Sequence, residues 1–274
     1  MSDSDEDITT NLFQEPETFF KPAPNPTLAT HTLLSGKELK LRLVGHNPLW
    51  GHLLWNAGRT ISDYLEENAS ALLSGRNVLE LGAGAGLPGI VSAIKGAATV
   101  VVTDYPDPDL IQNIAHNINT CDEIMNKSNI IAAGHLWGAP VEHLLALLPD
   151  EESRSKKFQT VILADLLFNH SEHAKLIKSV QQTLQHDTNA CALVFFTPYR
   201  PWLLQKDLAF FDLARDNQLQ VKKIMEKVMD KVLFEKDPGV GTHSSILFPA
   251  LLTSSKDELL RRTVYGYELR WITP

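Results

Sequence analysis

Cysteine is scarce: Cys121 and Cys191 are the two thiols in 274 residues, and they form no Cys-x-x-Cys pair. That count excludes a disulfide framework or a zinc ribbon. Both thiols read as small buried hydrophobes. Long apolar runs are missing as well. No stretch approaches the roughly 18 consecutive apolar residues of a membrane helix. Basic charge is also short, with 25 Lys and Arg against 33 Asp and Glu and a formal charge of −8. Six acids (Asp3, Asp5, Glu6, Asp7, Glu15 and Glu17) precede the first base, Lys21, so the remainder carries −2. No dominant positive field invites a phosphate backbone, so no direct nucleic-acid partner is expected. The acidic start lacks the apolar stretch of a signal peptide, and a soluble intracellular chain with no membrane partner is expected. Of the ten histidines, His170 and His173 are spaced to share a helix face, but they lack a third ligand, and no metal is expected.

What is present suits a globular protein: 43% of the residues are hydrophobic. Residues 1–27 read as an acidic, then proline-rich extension, disordered over 1–11 and extended over 12–26, where Phe13, Phe19 and Phe20 alternate with prolines. Residues 28–274 read as a single domain. Residues 39–44 alternate apolar and basic residues, the period of a strand. Residues 53–67 then read as an amphipathic helix. From residue 76 strands (77–81, 99–104, 129–133, 159–165 and 190–197) alternate with helices (87–95, 110–119, 141–148 and 171–185). Near-continuous apolar strands in such alternation indicate a parallel sheet covered on both faces. After Pro201 the pattern changes to a helix over 202–217, a long strand over 219–229, turns over 237–244 and a closing strand over 264–271.

The informative motif is Glu80-Leu81-Gly82-Ala83-Gly84-Ala85-Gly86-Leu87-Pro88-Gly89, set between the first of the alternating strands and its helix. Open α/β sheets bind ligands at the carboxyl ends of their strands. A dinucleotide fingerprint counted from Gly82 would place its third glycine at Leu87. The glycines instead recur at every second residue, and Glu80 stands two residues ahead of them. That carboxylate would repel a pyrophosphate and suits a ligand bearing an ammonium and a sulfonium. Asp104 ends the next strand, where an acid can accept hydrogen bonds from ribose hydroxyls.

These residues resemble the class I S-adenosylmethionine-dependent methyltransferases. The resemblance implies a doubly wound, mostly parallel, seven-stranded α/β sheet of Rossmann-like type. Within that class, Leu54-Trp55-Asn56-Ala57-Gly58, Leu136-Trp137-Gly138 and Ala164-Asp165-Leu166-Leu167-Phe168 resemble the lysine methyltransferases of chaperones and elongation factors. Phe168, or Leu167 in a shifted register, stands where that family's D-x-x-Y motif has tyrosine. Asp165 to Ser171 together with Thr197-Pro198-Tyr199-Arg200-Pro201 resemble a fungal branch first named after nicotinamide N-methyltransferase. That branch methylates elongation factor 1-alpha at its N-terminal glycine and adjacent lysine.

The resemblance implies S-adenosylmethionine as cofactor, with Gly82, Ala83 and Gly84 lining its methionine end beside Glu80, and Asp104 on its ribose. Trp137 would lie beside the adenine, with Trp55 and Ala164 closing the pocket. Asp165 would point at the incoming amine, and Phe168 and Tyr199 would wall it. Trp50 and Trp202 read as structural. The implied partner is a protein substrate, elongation factor 1-alpha, met in the cytoplasm by a monomer. A small-molecule N-methyltransferase, a non-catalytic interaction module and an NAD-dependent enzyme stand as alternatives.

Overall fold

The computed structural model describes residues 25–45, 47, 50–149, 157–233 and 255–272. The disorder and extended structure expected before residue 25, and the turns expected over 237–244, lie outside these residues. The described chain opens with strands β1 (Thr27–Thr32) and β2 (Glu38–Leu43), followed by helices α1 (Asn56–Glu67) and α2 (Ala69–Leu72). Strand–helix units follow: β3 (Asn77–Leu81) and α3 (Leu87–Ile94), then β4 (Thr99–Asp104) and α4 (Pro108–Thr120). Next come β5 (Ile130–Gly134) and α5 (Glu142–Leu145), β6 (Thr160–Ala164) and α6 (His173–Thr183), then β7 (Cys191–Phe196) and α7 (Leu204–Asp216). Strand β8 (Leu219–Val228), helix α8 (Ser255–Arg262) and strand β9 (Thr263–Trp271) close the described chain.

Seven strands form one sheet in the order β5-β4-β3-β6-β7-β9-β8. Strands β3 to β7 pair in parallel, and β9 and β8 complete one edge antiparallel. The chain order reverses between β3 and β6, so the crevice for a ligand opens beyond Leu81 and Ala164. The apolar β-branched runs of β4 and β6 fit strands buried on both faces. Each face carries its own apolar layer. One packs Ile61, Leu65, Ile90 and Ile114 of α1, α3 and α4 against the sheet. The other packs Leu176, Val180, Phe210 and Ala214 of α6 and α7.

Several sequence expectations need correction. Helix α1 begins at Asn56, because Trp55 is its N-cap with extended dihedrals. The expected helix over 141–148 contracts to α5, a single turn. Helix α6 starts at His173 after a 3-10 turn over His170–Glu172. Strand β1 begins at Thr27, the last residue assigned to the extension, and pairs antiparallel with β2 as a separate hairpin. Its large apolar residue, Leu28, faces outward and its buried residue, His31, is polar, so no apolar alternation marked it, while Leu39, Leu41 and Leu43 of β2 are buried as their alternation predicts. No helix among the described residues is long and apolar enough to cross a membrane.

Candidate functional site

A cavity of about 480 Å³ opens at the carboxyl ends of β3, β4, β5 and β6. The turn after β3 forms its floor. Gly82 has φ +62, and a Cβ there would meet Leu166 Cδ2 at 2.6 Å and Trp137 Cζ2 at 3.0 Å. The positive φ is what calls for glycine, and a Cβ would in addition displace the ends of the Leu166 and Trp137 side chains. Three amides of this turn are already taken, two by β4 and one within the turn. Ala83 N donates to Thr103 O at 2.9 Å, Gly86 N to Ala83 O at 2.9 Å and Gly84 N to Asp104 Oδ2 at 2.6 Å. A pyrophosphate cradle needs such N–H groups turned outward, which argues against a dinucleotide.

Asp104 also accepts from Tyr105 N at 2.7 Å, so each carboxylate oxygen holds one amide and keeps lone pairs for a ligand's hydroxyls. Glu80 is buried, and its Oε2 accepts from Gly89 N at 2.7 Å. Gly89 makes that approach possible, since a Cβ there would lie 2.8 Å from the same oxygen. Burial pushes the Glu80 carboxyl up to about 8, against the pull of the Gly89 amide and with a further push from Asp104. Trp137 is set by the next loop: Gly138 N donates to Ser179 Oγ at 2.8 Å, and His135 Nε2 lies 3.2 Å from the same oxygen. Burial holds His135 down at about 4, so it stays neutral.

At the other end Asp165 follows β6 with φ +55, a backbone state uncommon for a non-glycine residue. The expectation that its carboxylate points at an incoming amine needs revision. Oδ1 accepts from Thr197 N at 2.7 Å, while Oδ2 accepts from Ala57 N at 2.9 Å and Tyr199 Oη at 3.1 Å. The group thus clasps the start of α1 to the turn after β7. Burial pushes it up to about 7 although all these donors pull it down. Around the clasp, Trp55 stacks on Phe168 with centroids 6.1 Å apart and planes 8° apart, and meets Tyr199 edge-on at 5.2 Å. Trp55 Nε1 donates to Trp50 O at 3.2 Å, which fixes the ring.

Of the residues predicted from sequence, Trp55, Glu80, Gly82, Ala83, Gly84, Asp104, Trp137, Ala164, Asp165 and Phe168 all line the cavity. Tyr199 is not among the lining residues and reaches the site through Asp165. Trp50, read as structural, lines the cavity and has φ +65, while Trp202 is exposed. The sequence reading missed His135, Lys175 and Glu172, which also line it. Nothing marks these three except their places just after β5 and before or within α6. The lining chemistry fits S-adenosylmethionine: apolar surface at Trp137 and Leu166, hydroxyl acceptors on Asp104, and a carboxyl for positive charge at Glu80. Lys175, a cation on the rim, is paired with Glu172 at 3.0 Å.

The family described as lysine methyltransferase matches residues 34–216. Among curated proteins, "Protein N-terminal and lysine N-methyltransferase efm7" of Aspergillus fumigatus is 51% identical over 95% of this chain and 93% of its own. The protein of the same name from Emericella nidulans is 46% identical over 98% of each chain, and that from Schizosaccharomyces pombe 41% over 94% of each. Among solved structures, the YcgJ protein from Bacillus subtilis superposes at TM-score 0.50 with 14% identity, covering 78% of this chain and all of its own. A Streptococcus mutans protein provisionally assigned as a SAM-dependent methyltransferase gives 0.52 with 12% identity, over 90% of this chain and 56% of its own. Likeness at that identity speaks for the fold.

Proposed function

Since the chain belongs to the lysine methyltransferase family, we propose that it transfers methyl groups from S-adenosylmethionine to a protein amine, an N-terminal α-amine or a lysine close to it. The observation that carries this reading is the shared cavity. Glu80 and Asp104 stand at one end and the Asp165 clasp with its aromatic wall at the other, so cofactor and acceptor share one space.

When bound, S-adenosylmethionine would supply a methyl group on its sulfonium. An uncharged amine would attack that methyl carbon in line, its N–C bond forming as the C–S bond breaks to leave S-adenosylhomocysteine. The rest falls to alignment and exclusion of water. In this reading Gly82, Ala83 and Gly84 line the methionine end, Glu80 compensates positive charge, and Asp104 takes the ribose. Trp137 lies beside the adenine, with Trp55 and Ala164 closing the pocket. Phe168 and Trp55 offer ring faces to the positive charge that develops on the amine as it takes the methyl group. Asp165 fixes the wall by accepting hydrogen bonds from Ala57, Thr197 and Tyr199.

The fungal-branch resemblance makes elongation factor 1-alpha, met in the cytoplasm, the acceptor to test first. The test uses isotope-labelled S-adenosylmethionine, the purified protein and lysate of cells lacking it, with the label located by mass spectrometry. Label on the N-terminal peptide of a protein supports the reading. Label confined to a small amine replaces it with a small-molecule methyltransferase. Bound cofactor with no label in either fraction leaves an interaction module.

A further inference from the structure

We infer that Asp207 is a positioning residue for the acceptor pocket: from α7 it gathers the two chain segments that carry Phe168 and Tyr199 and sets the distance between them. The inference rests on the function proposed above and adds a residue outside the cavity to it.

Asp207 lies in the first turn of α7, a helix whose Phe210, Phe211 and Ala214 are in the core. Its side chain is buried, at 6% exposure. A carboxylate in such a place is costly unless it is paired and hydrogen-bonded. Its partners come from both acceptor segments. His170 Nε2 lies 2.7 Å from Asp207 Oδ1, and His170 follows Phe168 by two residues. The charge of Arg200, the residue after Tyr199, also acts on Asp207. One carboxylate on a core helix therefore ties the Phe168 segment to the helix that continues the Tyr199 segment.

Those walls need an external anchor. Phe168 is 40% exposed, so packing alone does not hold its ring parallel to Trp55. The strand that carries the motif ends at Ala164, and the chain to α6 is turn and 3-10. The Asp165 clasp holds its first residue, and past it the hydrogen bonds are local: His173 Nε2 to Leu167 O at 2.9 Å and Ser171 Oγ to Asn169 Oδ1 at 3.0 Å. The His170–Asp207 contact links this segment to α7, the helix that the Tyr199 segment leads into. A shift of either segment changes the slot in which an amine must lie in line, and in-line transfer tolerates little misplacement. The cofactor end, built on β3, β4 and β5, has no share in this contact.

The test measures steady-state transfer from labelled S-adenosylmethionine to a synthetic peptide that begins Gly-Lys with a free α-amine. Binding of S-adenosylhomocysteine is followed in parallel by calorimetry. Loss of one charge-assisted hydrogen bond in Asp207→Asn or His170→Ala is expected to raise the peptide KM about tenfold. The kcat at saturating peptide is expected to fall as well, because the in-line geometry is disturbed, while the affinity for S-adenosylhomocysteine stays within twofold of wild type. His170→Gln, which keeps a donor, recovers most of the lost affinity. An unchanged peptide KM overturns the inference. So does equal weakening of peptide and S-adenosylhomocysteine binding with a lowered Tm, the mark of a merely structural group. If Asp207→Asn does not fold, the two His170 variants decide at their half-buried site. A wild-type protein that methylates neither this peptide nor any protein in lysate fails the parent reading before the variants are compared.

Discussion

Glu80 and Asp165 are carboxyl groups held almost completely out of water with amide or hydroxyl donors as their hydrogen-bond partners. Burial lifts Glu80 to about 8 and Asp165 to about 7, so the ligand-free protein keeps Glu80 mostly protonated at neutral pH. A native carboxyl raised above its unfolded value binds more protons folded than unfolded. Stability from these two groups therefore falls as pH rises from about 4 through 7 to 8. A higher Tm for the ligand-free protein at pH 6 than at pH 8 is expected, and the reverse order would contradict the shifts. A cationic ligand beside Glu80 favours the ionised form, so binding below pH 8 should expel a proton and tighten as pH approaches 8. Calorimetry near pH 7 in two buffers of different ionisation enthalpy measures that proton, and equal heats would refute it. Glu80→Gln should bind more weakly with a flat pH dependence. For Asp165→Ala, which removes the acceptor of three hydrogen bonds, turnover should drop about a hundredfold. Intact turnover would end its assigned role.

The N-terminal hairpin shows how an element outside the main sheet can bear on the site. Arg42 of β2 gives its amide to Asn117 Oδ1 at 2.8 Å, and its carbonyl accepts from Asn117 Nδ2 at 2.9 Å. The same Nδ2 donates to Ala85 O in the glycine-rich turn at 3.0 Å. Asn117 is buried on α4 and thus joins the hairpin, the helix and the floor of the cavity. Asn117→Ala leaves the Ala85 carbonyl without that donor, so we expect a loss of about 2 kcal/mol in stability and roughly tenfold in affinity for S-adenosylhomocysteine. Unfolding with denaturant and calorimetry measure the two. Undiminished affinity would show that the turn holds its shape without the hairpin. None of this bracing was legible in the sequence. Leu39, Leu41 and Leu43 announced a strand, but the asparagine contacts depend on α4, more than 70 residues away. By contrast, the turn from Glu80 to Gly89 was legible because its constraints are local. Gly82 has the positive φ that favours glycine, and Gly82→Ala should weaken cofactor binding, because its Cβ would strain the turn and displace Leu166 and Trp137.

At the scale of the whole chain, alternation made the parallel sheet readable, since each crossover helix lies next to its strands in sequence. The antiparallel edge, where β9 inserts between β7 and β8, depends on pairing with no periodic signature. The acceptor end divided in the same way. Asp165 stood out as an acid after an apolar strand, while its closure by Ala57 and Thr197 required chain segments 108 and 32 residues away to meet. That closure bears on where the amine loses its proton. Among the described residues the carboxylates lining that side are Asp165, with three donors, and Glu172, paired with Lys175 at 3.0 Å. Burial and the adjacent Asp165 push the Tyr199 hydroxyl well above its ordinary value, so Tyr199 keeps its proton. An acceptor that must arrive uncharged is then selected by its own pKa. An α-amine near 8 is neutral at pH 7 about 250-fold more often than a lysine near 10.4. For a peptide with a free α-amine, kcat/KM should climb to a plateau above about pH 8. For the same peptide acetylated at its N-terminus, leaving only lysine, it should rise on toward pH 10, so that the ratio between them narrows steadily. Two profiles that bend together near pH 7 would contradict this and place the proton on Asp165, whose own value is about 7.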